Sequence, residues 1–267
     1  MPHITFDNVD LIYPVKAHGR PTFKDFIVNG IFRRPISCPR YVKALDQITF
    51  RVDGSECVGV IGRNGAGKST LLRTVAGVYP SASGTRDVQG KVASLLDIAA
   101  GFEWNATGWE NIRLRAYLQG ETPGSLRGKL GAIADFTELG DTLNLPLKCF
   151  STGRIMMLSF AIAICCEPEI LLIDEFLSTG DLQVREQAIA RMIQMLRQSR
   201  IVMIASHDVA FLRQFCARVL WLEKGRIKED GPAECVIENY VRSIQGTKSL
   251  GAALLKQAIH LGQSVAQ

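Results

Sequence analysis

Apolar and polar positions change rhythm several times along the chain. Residues 3 to 13 alternate through Ile4 and Phe6, lose phase at Asp7 and Asn8, and resume at Val9, Leu11 and Tyr13. That pattern predicts a half-buried strand with an irregularity in its middle. Two more strands are predicted over Val42 to Val52 and Glu56 to Ile61, parted by an Asp53-Gly54 turn. The spacing becomes helical from Lys68 to Ala76, and Gly77 ends it. Strand-like pieces around Gly84 to Leu96 lead into a stretch of helical character over Gly108 to Leu139. Ser151 to Cys166 reads as an apolar helix, Ile170 to Ile173 as a buried strand, Gln183 to Gln198 as an amphipathic helix, and Arg200 to Ala205 as another buried strand. Strands alternating with helices predict an α/β fold whose mostly parallel sheet is covered on both faces. There is no internal repeat and no low-complexity tract.

Composition narrows the class. The 267 residues are 47% hydrophobic and 21% charged, enough for a substantial core and incompatible with disorder. The longest apolar run, Ile155 to Cys166, is interrupted by Ser159 and falls short of the roughly 18 to 20 residues a spanning helix needs. The N-terminus lacks the basic start and apolar stretch of a secretory signal, so the chain is expected to stay in the cytosol. Seven scattered cysteines without a Cys-x-x-Cys indicate neither a disulfide framework nor a zinc site, and are expected to be small buried apolar residues.

The formal charge of +5 is uneven. Between Pro14 and Lys43 lie Lys16, Arg20, Lys24, Arg33, Arg34, Arg40 and Lys43 against the single acid Asp25, so this segment carries +6 and the rest of the chain −1. One basic segment on a neutral body is not the broad basic face of a nucleic-acid binder, and no nucleic acid is expected as a partner. Within it, Thr22 to Arg34 reads as a short helix with Phe23, Phe26, Ile27 and Ile31 on one side.

The chemistry begins at Gly62-Arg-Asn-Gly-Ala-Gly-Lys-Ser69, a Gly-x4-Gly-Lys-Ser match between a strand and a helix. In that setting the backbone N–H groups of Gly62, Asn64, Gly65, Ala66 and Gly67 point at phosphate oxygens, and the helix N-terminus adds its dipole. Lys68 reaches the β and γ phosphates, and Ser69, followed by Thr70, offers a hydroxyl to Mg²⁺. The second element is Ile170-Leu-Leu-Ile-Asp174-Glu175, a buried strand ending in two carboxylates where ligands bind in open α/β sheets. Asp174 is expected to hold Mg²⁺ and Glu175 to polarise the attacking water.

Phe150-Ser151-Thr152-Gly153-Arg154, opening the apolar helix ahead of the Asp-Glu strand, resembles the signature of the ATP-binding subunits of ABC transporters. Ser178-Thr-Gly-Asp181 falls at the position of that family's D-loop, and Ser206-His207-Asp208 at that of its switch histidine. The resemblance covers roughly residues 1 to 240. It implies a P-loop NTPase of ABC type, with a mostly parallel core, an antiparallel β subdomain and an inserted helical subdomain. The implied nucleotide-binding domain spans 1–242: core and β subdomain in 1–96 and 160–242, the basic insert in 14–43, the helical subdomain in 97–159. A short helical tail would occupy 243–267.

The resemblance further implies ATP and Mg²⁺ as cofactors and a head-to-tail dimer with a second copy. Each ATP would lie between the phosphate loop of one chain and Ser151 and Gly153 of the other, with Asp181 at the junction and His207 on the γ-phosphate. Tyr13 matches the adenine-stacking aromatic, with Tyr41 as the alternative. Arg154 departs from the usual glutamine or methionine. The Q-loop region, Asp97 to Trp104, has no glutamine, and Glu103 is its best-placed polar residue.

The phosphate-loop wording, the stretch from Gly101-Phe102 through Thr107-Gly108 to Glu110-Asn111-Ile112, and the insert resemble exporters of capsule, O-antigen and teichoic acid. The expectation is an ATPase peripheral to the cytoplasmic face of the inner membrane. It would drive export of a lipid-linked polysaccharide through a separate integral membrane permease, with residues 22–34 at the membrane surface. The alternatives are an exporter ATPase for a drug or lipid, a soluble ABC-type ATPase working on nucleic acid or ribosomes, and a non-hydrolysing nucleotide sensor.

Overall fold

The computed structural model describes residues 1–15, 40–96, 101–174 and 201–245. The expected helices over Thr22 to Arg34 and Gln183 to Gln198 and the C-terminal tail from residue 246 on lie outside them, as do Glu175, Asp181 and Asp97 to Ala100.

Strands β1 (His3–Val15), β2 (Arg40–Asp53) and β4 (Ser83–Gln89) form an antiparallel sheet in the order β2-β1-β4. The phase slip in β1 is real. Register with β2 shifts between Phe6 and Val9, and Asn8 takes a left-handed φ of 49°, so apolar residues on both sides of the bulge face the same core. Ile4, Phe6, Val9 and Leu11 are accordingly buried. The two ends of the basic segment are strand: β1 runs through Val15 and β2 starts at Arg40.

The second sheet has the order β5-β6-β7-β3-β8-β9, built from β5 (Val92–Leu95), β6 (Ile170–Asp174), β7 (Ile201–Ala205), β3 (Glu56–Ile61), β8 (Arg218–Glu223) and β9 (Arg226–Pro232). Its strands run parallel except the edge pair β8-β9. The strand-like stretch before residue 96 therefore divides: β4 joins the antiparallel sheet and β5 the parallel one, with Gly90 (φ 130°) turning between them. Ile201 to Ala205 are all buried, which is why this strand lacks alternation.

The expected helical stretch over 108–139 is three helices, α2 (Gly108–Leu118), α3 (Pro123–Arg127) and α4 (Leu130–Thr137). Gly120 at φ 88° stops the first, and Thr122 with Pro123 opens the second through a reciprocal cap with Ser125. Helix α5 (Thr152–Cys165) packs between this helical layer and the parallel sheet. Met156, Met157, Phe160 and Ala163 join the sheet-side core, while Ile155, Leu158, Ala161 and Ile162 join the helical one. Burial on both sides explains a helix apolar all round. Its one polar interruption, Ser159, is buried and accepts a 2.7 Å hydrogen bond from Arg115 Nη1. Helices α1 (Lys68–Val75), α6 (Val209–Phe215) and α7 (233–245) and two 3₁₀ turns, Gly140–Asn144 and Leu147–Cys149, complete the described elements.

The cysteines correct the expectation of uniform burial. Among the described residues Cys166 and Cys216 are buried, Cys57 and Cys165 partly so, and Cys149 and Cys235 exposed. Cys149 ends a single 3₁₀ turn and Cys235 sits on the outer side of α7, so neither has a layer to cover it. No described helix is long and apolar enough to cross a membrane.

Candidate nucleotide-binding site

Strand β3 ends at Ile61 and the chain turns through Gly62 to Gly67 into α1. Each glycine there has a stated job. A Cβ on Gly62 would lie 2.4 Å from the Leu222 carbonyl, so only glycine lets the loop pass β8. Gly65 and Gly67 take left-handed φ of 78° and 110°, and Gly67 is the N-cap of α1 without a side-chain cap. No side chain caps this helix start, so the N–H groups of the first turn of α1 face the side from which a phosphate would approach. Lys68 is buried at 6% exposure, and its Nζ donates 3.0 Å to the Gly62 carbonyl across the loop.

A cleft of about 450 Å³ opens over this turn, lined by Gly65, Gly67, Lys68, Ser69 and Thr70 from the phosphate loop. Its other wall was not foreseen: Val42, Lys43 and Ala44 of β2, with Lys224 and Gly225 of the β8-β9 turn. Gly225 donates its N–H to the Ala66 carbonyl at 2.9 Å and accepts from Asp46 N–H at 2.8 Å, clipping the turn to both loop and β2. The signal available in the sequence was the Lys224-Gly225 turn, and both residues take positive φ. Asp46 is held ionised below the usual carboxylate range by Lys43 and then Arg226.

Tyr13 lies beside this cleft. Its ring packs edge-on against Tyr79 at 5.3 Å, and burial raises its pKa against an opposing hydrogen bond to Thr70. Tyr41, opposite Pro14 in the β1-β2 ladder, is 64% exposed next to Val42. At the carboxyl ends of the central strands, Asp174 pairs in register with Ala205, and Ala205 with Val60. Ser206 N–H donates to the Val60 carbonyl at 3.2 Å, so His207 emerges one residue beyond the end of β3 and is exposed. The structure thus aligns Asp174, His207 and the phosphate loop along one edge of the sheet.

Ser151 and Gly153 are elsewhere. Ser151 caps α5, its Oγ accepting from Arg154 N–H at 3.4 Å, and Arg154 is exposed. No residue of α5 lines the cleft. Glu103 turns its carboxylate to its own loop, accepting from Asn105 N–H at 3.1 Å, while the Asn111 side chain clamps the Glu103 backbone at 2.7 and 2.9 Å.

The donor set suits Mg²⁺. A hydroxyl at Ser69 and a carboxylate at Asp174 are hard oxygen ligands, and the glycine cradle leaves room for phosphates to supply others.

Sheet order, glycine cradle and buried lysine define a phosphate-loop nucleotide-binding protein. The chain belongs to the ABC transporter family, whose pattern matches residues 45–178. It is 40% identical over 234 residues to the O-antigen export system ATP-binding protein RfbE of Yersinia enterocolitica, covering 86% of this chain and 98% of that one. Identity to the O-antigen export system ATP-binding protein RfbB of Klebsiella pneumoniae is 35%, with 91% of this chain and 99% of that one covered. The teichoic acids export ATP-binding protein TagH of Lactococcus lactis is 37% identical over 78% of this chain and 44% of its own length. Among solved structures, a dimeric ATP-binding cassette in a post-hydrolysis state with ADP and phosphate superposes with a TM-score of 0.68 at 17% identity, over 86% and 98% of the two chains. The ATP-binding subunit of an ABC transporter gives 0.67 at 20%, over 89% and 92%. Both share the fold.

Proposed function

We propose that this chain is the ATP-hydrolysing subunit of an exporter of lipid-linked polysaccharide. It works as a head-to-tail dimer with a separate integral membrane permease, peripheral to the cytoplasmic face of the inner membrane. The export systems named for its relatives support the substrate class. The observation that carries the dimer is the separation of the two ATP-contacting motifs. The phosphate cleft is open, and the N-terminus of α5, with Ser151 and Gly153, contributes nothing to its walls. A second copy would supply that helix end to the γ-phosphate, with Asp181 at the junction.

Within one chain, Lys68 and the N–H groups of the loop neutralise the phosphates. Glu175, next in sequence after Asp174, orients the attacking water, and His207, next to Ser206 at the carboxyl end of the sheet, contacts the γ-phosphate. Bound Mg²⁺, held by Ser69 and Asp174, would supply charge neutralisation on the β and γ phosphates. Residues 22–34, read from their sequence, would rest on the membrane surface. Charge reversal at Arg33 and Arg34 should then reduce membrane association, and unchanged association would remove that part of the reading.

The decisive experiment is Glu175→Gln. Retained ATP binding, a dimer stable in ATP by size exclusion and turnover lowered by a factor of about 10² or more are expected. Normal turnover in that variant would overturn the assignment.

A further inference from the structure

Cys57 and Cys216, 159 residues apart in the chain, meet in the sheet-side core with their sulfurs 3.7 Å apart in a hydrogen bond. Cys57 is the second residue of β3 and partly exposed, while Cys216 caps the end of α6 at 5% exposure. Its hydrogen bond with Cys57, together with burial, pushes the Cys216 thiol up. Cys57 is therefore the sulfur that a small oxidant reaches first, with Cys216 held in place behind it.

We propose that Cys57 and Cys216 form a reversible disulfide in response to peroxide, and that this staple slows ATP turnover. The Cys57 thiolate attacks hydrogen peroxide, the O–O bond breaks, and Cys57 becomes a sulfenic acid with release of water. The Cys216 sulfur, giving up its proton, then attacks the Cys57 sulfur. The S–O bond breaks as the S–S bond forms, and a second water leaves. Two thiols lose two electrons and two protons, one peroxide becomes two waters, and a dithiol reverses the step.

The coupling to turnover follows from where the two sulfurs are anchored. β3 runs from Cys57 directly into Gly62 and the phosphate loop, and α6 runs from the His207 turn to Cys216. A disulfide of about 2.05 Å requires the sulfurs to close by about 1.7 Å. The surroundings offer no slack: a Cβ on Gly59 would already lie 2.9 Å from Val219 Cγ2, 3.1 Å from Leu212 Cδ2 and 3.2 Å from Cys216 Sγ. In an interior packed this tightly the shift is passed along β3 and α6 rather than absorbed. Those two elements carry the groups that hold the phosphates.

The test uses the full chain, reduced and then treated with hydrogen peroxide. Non-reducing digestion and mass spectrometry should recover a peptide linking Cys57 to Cys216, and turnover should fall by about twofold or more and return with dithiothreitol. Cys57→Ser and Cys216→Ser should each keep untreated turnover and lose both the link and the reversible fall. Oxidation confined to the exposed Cys149 and Cys235, or a Cys57-Cys216 link without loss of turnover, would overturn the proposal. If Cys216→Ser fails to fold, the partly exposed Cys57→Ser keeps the comparison. The fall in turnover rests on the ATPase reading, which untreated protein tests by itself, whereas the linked peptide is detected without it.

Discussion

The N–H of Gly225 donates to the carbonyl of Ala66 at 2.9 Å, so the turn between β8 and β9 holds the phosphate loop from beneath. The turn is as constrained as the loop. Gly225 sits at φ 80°, and a Cβ there would lie 2.7 Å from the Ala44 carbonyl. Gly225→Ala should cost about 1–3 kcal/mol of stability and raise the KM for ATP. Thermal unfolding and steady-state kinetics check both, and a change in stability alone would detach the turn from the cleft.

Glu121 carries the pH prediction. Its side chain is 4% exposed and accepts from Lys91 at 2.8 Å, Lys129 at 3.2 Å and Ser125 at 2.6 Å. Lys91 above all, then Ser125, lowers its pKa to about 2. A folded pKa below the unfolded one means the carboxylate stabilises the fold above about pH 4.5 and loses that contribution as pH falls toward 2. Glu121→Gln should therefore flatten the pH dependence of stability across that window, measured by denaturant unfolding at several pH values. Lys91→Met, which leaves the carboxylate with fewer donors, should destabilise by about 2–4 kcal/mol at neutral pH.

Arg115 joins α2 to α5 from the middle of the helical layer. Its guanidinium bonds Ser159 and lies 4.4 Å from the centre of the Phe102 ring. Ser159→Ala should cost about 1–3 kcal/mol, and a double-mutant cycle with Arg115→Met should show coupling, since removing both partners spares the desolvated cation.

Tyr13 and Tyr41 divide the adenine question. Thr70 lines the cleft and hydrogen-bonds Tyr13. Tyr13→Ala is expected to weaken ATP binding by about 1–3 kcal/mol, the scale of base-aromatic stacking, and Tyr13→Phe to restore most of it. A larger effect from Tyr41→Ala, in nucleotide titrations of both variants, would transfer the role.

Local chemistry was legible in the residues that create it. The Asp7-Asn8 slip, the phosphate loop and the start of the apolar helix at Ser151 all depend on neighbours in sequence, and each stands where expected. The far wall of the cleft was not legible, because Ala44, Ala66 and Gly225 meet only once both sheets have formed. The split of residues 108–139 into three helices turned on Gly120 and the Thr122-Ser125 cap, which an apolar pattern alone outweighs. The exposure of Cys149 and Cys235 depended on which faces other layers leave open.

Helix α5, apolar on every side, has no face of its own to show to water. It cannot persist as a helix once either neighbour is lost, so the parallel sheet and the helical layer should melt in one cooperative transition. The backbone amides of Leu158 to Ile162, at its centre, would then exchange with solvent only through global unfolding. The tip bearing Ser151 would stay open to exchange, which makes the start of this helix its mobile end and the middle a clock for the stability of the whole chain.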